Sequence, residues 1–178
     1  MNICDYKKIM LVGSSGAGKS YLSRKIAELT GYPLFHLDRE FLLPNWEGMP
    51  KDEQIAKVKE MMGNEQWVID GNWGGGREAR FASADLVIFL DVNRWVCLWS
   101  AIRRLSKDRP DIPDFLNEKK QSMFSKDFRQ FAKLILSYNK SGRGKILALQ
   151  EKYLNTPFLH IKSRRSARRI LKEWGASK

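Results

Sequence analysis

Cysteine is scarce in this chain, two in 178 residues. Cys4 lies near the N-terminus and Cys97 inside an apolar helical pattern, with no metal or redox spacing, so both read as ordinary reduced thiols. Histidine is equally scarce. His36 and His160 sit in strand-like runs without ligand spacing and read as core or partly buried residues. No apolar run approaches the length of a membrane span, and Asn2, Asp5, Lys7 and Lys8 occupy the place where a secretory signal needs an apolar stretch. These absences predict a cytoplasmic protein without membrane contact. Internal repeats and low-complexity tracts are also missing. Acidic residues are outnumbered, 20 against 32 Lys and Arg, leaving a formal net charge of +12. That excess implies an anionic partner, whether nucleotide, phosphorylated substrate or nucleic acid. The length suits one core, so residues 1–178 are read as a single domain.

What is present is first of all a loop. Gly13-Ser14-Ser15-Gly16-Ala17-Gly18-Lys19-Ser20 fits the pattern G-x-x-x-x-G-K-[ST] at every fixed position. Lys8-Ile9-Met10-Leu11-Val12 before it is an apolar run typical of a buried parallel strand. After it, Leu22, Ile26 and Leu29 recur at helical spacing, with Gly31 as a C-terminal stop. Strand, glycine loop and helix is the order that phosphate binding requires. The glycines let successive N–H groups point at phosphate oxygens, and the helix N-terminus adds partial positive charge. Lys19 is then expected to bridge the β- and γ-phosphates of ATP, and the Ser20 hydroxyl to ligate Mg²⁺.

Strand-like segments at 8–12, 33–37, 66–70, 85–90 and 157–162 alternate with helical patterns, predicting an α/β fold with a parallel sheet covered on both faces. Ile55, Val58 and Met62 mark one helix; Trp95, Leu98, Trp99, Ile102 and Leu105 mark another, and both stripes are read as core. Phe124, Phe128, Phe131, Leu134, Ile135 and Tyr138 repeat the spacing, and Ile146, Leu147, Leu149 and Tyr153 begin a further helix. Near the C-terminus Arg164, Arg165, Arg168, Arg169 and Lys172 alternate with Ala167, Ile170, Leu171 and Trp174, which reads as a packed helix with a solvated cationic face. Residues 39–50, with Pro44, Gly48 and Pro50, leave the carboxyl end of the second strand and are expected to form a substrate loop, within a substrate-binding segment of about 39–65. Residues 107–122, carrying Arg109, Pro110 and Pro113, suit a lid.

Carboxylates and arginines at strand ends supply the remaining chemistry. Asp70 ends Trp67-Val68-Ile69 and is expected to reach Mg²⁺ or its waters beside Ser20. Asp38 ends Leu34-Phe35-His36-Leu37 and is placed to accept a substrate hydroxyl proton. Asp91 precedes a helical pattern and reads as its cap. Arg77 and Arg80 follow the turn Gly74-Gly75-Gly76, while Arg103, Arg104 and Arg109 surround the lid; both groups are candidate clamps for a migrating phosphoryl group. Trp46 and Trp73 stand in loops where an aromatic face either stacks on a base or packs against its own loop.

In this order, Gly13–Ser20, Phe35-His36-Leu37-Asp38, Val68-Ile69-Asp70-Gly71-Asn72-Trp73, Asp85–Asp91 and Arg94-Trp95-Val96-Cys97-Leu98 resemble the small adenylate-kinase-related proteins known as DNA topology modulation proteins (FlaR-like). The resemblance implies a P-loop kinase fold of five parallel strands in the order 2-3-1-4-5, a substrate segment after strand two and a lid after strand four. By position it gives Lys19 and Ser20 the phosphate and Mg²⁺ roles, Asp70-Gly71 the third-strand Asp-Gly, and Asp38 a substrate-holding place. Ser163-Arg164-Arg165 is similar to the adenine-side loop. Two departures stand out. Tyr21 replaces a small Thr, and Gly71-Asn72-Trp73 replaces Gly-Phe-Pro-Arg, removing the arginine that would grip a nucleoside monophosphate. The sequence thus points to an ATP- and Mg²⁺-dependent phosphotransferase using Lys19, Asp38, Asp70, Arg104 and Arg109, with Gly13–Ser20 and Arg164 on the nucleotide. Two alternatives stay open: a nucleic-acid-binding regulator with a nucleotide switch site, and a kinase of polynucleotide ends. No motif names the acceptor or the oligomeric state.

Overall fold

Three apolar runs become the centre of a sheet because their side chains find cover on both faces. β1 (Lys8–Gly13), β3 (Trp67–Asp70) and β4 (Leu86–Leu90) are buried almost throughout, and β2 (Leu34–His36) and β5 (Phe158–Ile161) flank them. All pairings are parallel and the order is β2-β3-β1-β4-β5. The computed structural model describes residues 2–44, 47–105, 110–114 and 124–176. Successive side chains of a strand point to opposite faces, so β1 divides between two cores. Ile9 and Leu11 join Val68, Ile88 and Leu90 under α1 (Lys19–Thr30), α5 (Arg94–Arg103), α6 (Lys126–Ser141) and α8 (Arg164–Ala176). Met10 and Val12 join Trp67, Ile69 and Phe89 under α2 (Leu37–Phe41), α3 (Lys51–Met62), α4 (Arg77–Ser83) and α7 (Arg143–Lys152). Each large apolar side chain so buried contributes about 1.5–3 kcal/mol.

Loop and helix ends follow local chemistry. Gly31 closes α1 at φ 77°, with its N–H donating to Ala27 O. The Ser125 hydroxyl accepts from Phe128 N at the start of α6, and the Asn93 side chain accepts from Trp95 N at the start of α5. Asn93, then, is the α5 cap, which corrects the reading of Asp91. Asp91 accepts instead from Arg143 Nε at 2.9 Å and pairs with His160 Nε2 at 2.8 Å, tying β4 to α7 and β5.

Two helical stripes differ from the expected register. α3 buries Gln54, Val58 and Met61, leaving Ile55 exposed; Gln54 is satisfied by donating to Met49 O and accepting from Gly75 N. In α5 the buried residues are Cys97 and Ala101, whereas Trp95 and Trp99 are 58% and 57% exposed. The reason is steric. α5 passes so close to the phosphate loop that a Cβ built on Gly16 would lie 2.3 Å from Cys97 O, and only small residues fit on that face. The two indoles turn outward, where the Arg94 and Arg103 guanidiniums lie 5.4 and 4.5 Å from their ring centres. Phe124 and Leu134 also face outward, while Phe128 and Ile135 hold α6 to the core. The C-terminal helix behaves as expected, burying Ala167 and Trp174 beneath a cationic face.

Candidate active site

The loop between β1 and α1 is forced into shape by its glycines. Gly13 (φ 143°) lies against β4, where a Cβ would be 2.4 Å from Leu90 O, and Gly16 (φ 82°) lies against α5. Gly18 (φ 106°) faces open space, and no side chain caps α1 there, which leaves the helix N-terminus to a ligand. Asn72 pins the loop from the end of β3: its Oδ1 accepts from Gly13 N at 3.1 Å and its Nδ2 donates to Gly13 O. Lys19 is 9% exposed and its Nζ donates to Ser14 O at 3.2 Å, so the ammonium already curls over the loop.

Beside the loop opens a cavity of about 450 Å³, within the range of small-molecule sites. Lys19, Arg24, Arg103, Arg104 and Arg164 supply its positive charge against the carboxylates of Asp38 and Asp111. Such a wall suits a polyphosphate. Ser20 Oγ donates to Asp111 Oδ2 at 3.1 Å, which brings the 110–114 segment onto the loop. Arg164 bridges the loop to α5, donating to Gly16 O and Ser100 Oγ, and it also borders an apolar cavity of about 350 Å³ lined by Ala17, Leu22, Leu90 and Ala167.

The residues proposed from sequence divide into three groups. Lys19, Ser20, Asp38, Arg103, Arg104 and Arg164 all line the large cavity. Asp38 differs from expectation in one respect: β2 ends at His36, and Asp38 belongs to the first turn of α2. Its Oδ1 accepts from the Trp73 indole Nε1 at 2.7 Å. Asp70 is 4% exposed and lies behind the loop, where its Oδ2 accepts from Ser23 Oγ at 3.3 Å and pairs with His36 Nδ1 at 3.0 Å. His36 is therefore a partly buried partner of Asp70. Arg77 and Arg80 form the third group and face backbone. Arg80, fully buried, donates to Gly71 O at 3.3 Å and Trp73 O at 2.7 Å, and Arg77 donates to Asn72 O. Burial lowers the Arg80 guanidinium to about 9, still charged at neutral pH. Both brace the 71–73 turn, so Arg80 is no candidate for gripping a substrate phosphate. Trp73 packs edge-on against Phe41 at 5.7 Å and so close to Gly48 that a Cβ there would lie 2.4 Å from the ring. Trp46, Arg109 and most of 107–122 lie outside the described residues.

Sequence reasoning missed Asp111, Arg24, Asn72 and Trp99. The helical period of α1 was one available signal, since it sets Arg24 one turn beyond Ser20. No short-range signal marks Asp111, whose partner is 91 residues away.

No family model matches the sequence, and no curated protein does. Solved structures do. A shikimate kinase from Acinetobacter baumannii, in complex with shikimate, superposes with a TM-score of 0.57 at 19% identity, over 97% of this chain and 94% of that one. A gluconokinase from Sinorhizobium meliloti 1021 gives 0.51 at 16% identity, over 96% and 90%. The chain has the α/β fold of the P-loop kinases. Among the described residues no helix is long and apolar enough to cross a membrane, and no group of three His, Cys, Asp or Glu could hold a metal ion.

Proposed function

We propose that the protein is an ATP-dependent, Mg²⁺-dependent phosphotransferase acting on a small acceptor. The observation that carries this reading is the cavity itself: the glycine loop with Lys19 and Ser20, five cations and the Asp38 carboxylate border one space. The donor set fits a Mg²⁺–nucleotide. Open space at Gly18, an uncapped helix N-terminus and a cationic wall match a polyphosphate, and hydroxyl and carboxylate oxygens at Ser20 and Asp111 match a hard cation. Mg²⁺, when bound, would neutralise charge on the phosphate oxygens, with Ser20 as a ligand and Asp70 or Asp111 holding its waters.

The chain's own groups do the rest. Loop N–H groups and Lys19 hold the donor phosphates, and Arg104 and Arg164, with Arg109 from the lid, neutralise charge on the transferred group. Asp38, oriented by Trp73, accepts the proton of the acceptor hydroxyl as its oxygen bonds to the γ-phosphorus and the bond to the leaving diphosphate breaks. The similarity to the topology modulation proteins belongs to this reading, in which any effect on DNA is indirect. Labelled ATP with a panel of nucleosides, nucleotides, sugars and oligonucleotides tests it. Lys19→Ala is expected to lower transfer at least a hundredfold while the fold persists by circular dichroism. Undiminished transfer by that variant contradicts the mechanism.

A further inference from the structure

A second cavity adjoins the phosphate loop from another side and has a different character. It measures about 240 Å³ and shares only Ser15 with the large cavity, lying between the loop, the start of α4 and the α6–α7 corner. Ser14, Ser15, Asn72, Arg77, Tyr138, Ser141 and Lys145 supply its polar lining, and among the described residues no carboxylate lines it. Sites for whole small-molecule ligands run from ~300 Å³ upward, so the space suits a small group and not a nucleotide.

Two donors there are buried without a partner. Among the described residues the Tyr138 hydroxyl and Arg77 Nε have no hydrogen-bond partner, although Arg77 also donates to Asn72 O. Buried polar atoms are normally satisfied, and an unsatisfied pair at one cavity calls for an acceptor between them. The placement of the tyrosine is built in. A Cβ on Gly142 would lie 2.3 Å from the Tyr138 ring, so only glycine at the α6–α7 corner allows the ring to lie where it does. Burial raises the tyrosine pKa, keeping the hydroxyl a donor, while burial lowers that of Arg77, a cost that a bound anion would offset. Lys145 is exposed at the same wall and adds charge.

We infer that this cavity is a separate site for a small oxyanion, a phosphate, sulfate or carboxylate group, held by Arg77, Tyr138 and Lys145. Arg77 connects it to the first site. Its guanidinium holds the backbone of Asn72, whose side chain holds Gly13, so an anion that fixes Arg77 also stiffens the phosphate loop. The anion is either free in solution or the charged end of an acceptor entering past Ser15. This inference goes beyond the nucleotide reading and does not depend on it.

The test is a calorimetric titration of inorganic phosphate at constant ionic strength, with the phosphate loop filled by Mg²⁺ and a non-hydrolysable ATP analogue. One further binding site is expected. Arg77→Gln should weaken it about tenfold to a hundredfold, as for a charged hydrogen bond, and Tyr138→Phe several-fold. Tyr138→Phe keeps the ring and removes an unpartnered hydroxyl. A purely structural role therefore predicts equal or higher thermal stability and unchanged phosphate binding. Repeating the titration on nucleotide-free Lys19→Ala protein separates failure of the nucleotide reading from failure of this one. Glycerol 1-phosphate distinguishes the source: binding equal to that of phosphate assigns a free anion, and tighter binding assigns the end of an acceptor. No phosphate binding beyond a chloride control, or binding that neither variant weakens, overturns the site.

Discussion

The two walls of the large cavity are made in different ways. On the donor side, one continuous segment carries glycines, lysine and serine, and its internal bonds are local: Ala17 N donates to Ser14 O at 3.1 Å and Lys19 Nζ to the same carbonyl. On the facing side, Asp38, Arg104 and Asp111 arrive from three segments, and both carboxylates have partners far along the chain, Asp38 accepting from Trp73 across 35 positions and Asp111 from Ser20 across 91. A local wall can be specified by a motif, whereas an assembled wall depends on packing and can change its specificity by changing loops.

Breaking the donor wall should have the largest effect. Gly16→Ala puts a Cβ 2.3 Å from Cys97 O at a left-handed φ, so loop and α5 must separate. Nucleotide affinity is expected to fall on the order of a hundredfold by calorimetry, with a lower melting temperature, because strain of this kind costs ~1–3 kcal/mol before any clash. Retained affinity would show that the loop is not shaped by α5.

Next comes the brace of the facing wall. Arg80→Met removes both hydrogen bonds to the 71–73 turn and leaves the carbonyls of Gly71 and Trp73 without this donor. A loss of about 3 kcal/mol in denaturant unfolding is expected, within the range for breaking a buried charged contact. Nucleotide affinity should change much less than in Gly16→Ala, which separates the brace from the loop.

The degree to which sequence foretold each wall follows from the same contrast. Apolar runs at 8–12, 66–70 and 85–90 marked the central strands because burial on both faces leaves a continuous signature. The glycine loop was legible because its backbone geometry demands particular residues at fixed spacing. Asp91 was misread, because neighbours suggested a cap while its actual partners, Arg143 and His160, are 52 and 69 residues on. Of the stripe assigned to the core by periodicity, Leu98, Ile102 and Leu105 do pack against it, while Trp95 and Trp99 turn outward where α5 closely approaches Gly16. Arg77 and Arg80 sit near the site in sequence but turn to backbone carbonyls, a choice no spacing reveals.

A smaller effect sharpens the comparison within the facing wall. Trp73→Phe keeps the packing against Phe41 but removes the N–H that orients Asp38. Transfer should fall about tenfold at saturating ATP, the worth of one hydrogen bond to a charged group, with nucleotide affinity unchanged.

The account stands on the two walls acting across one cavity, and single-turnover transfer of the γ-phosphoryl group by Asp38→Asn, with ATP saturating and the best acceptor from the panel, measures that directly. The rate is expected to fall at least a hundredfold with nucleotide affinity preserved, since the amide keeps the shape and loses the proton acceptor. Transfer at the wild-type rate would contradict the account.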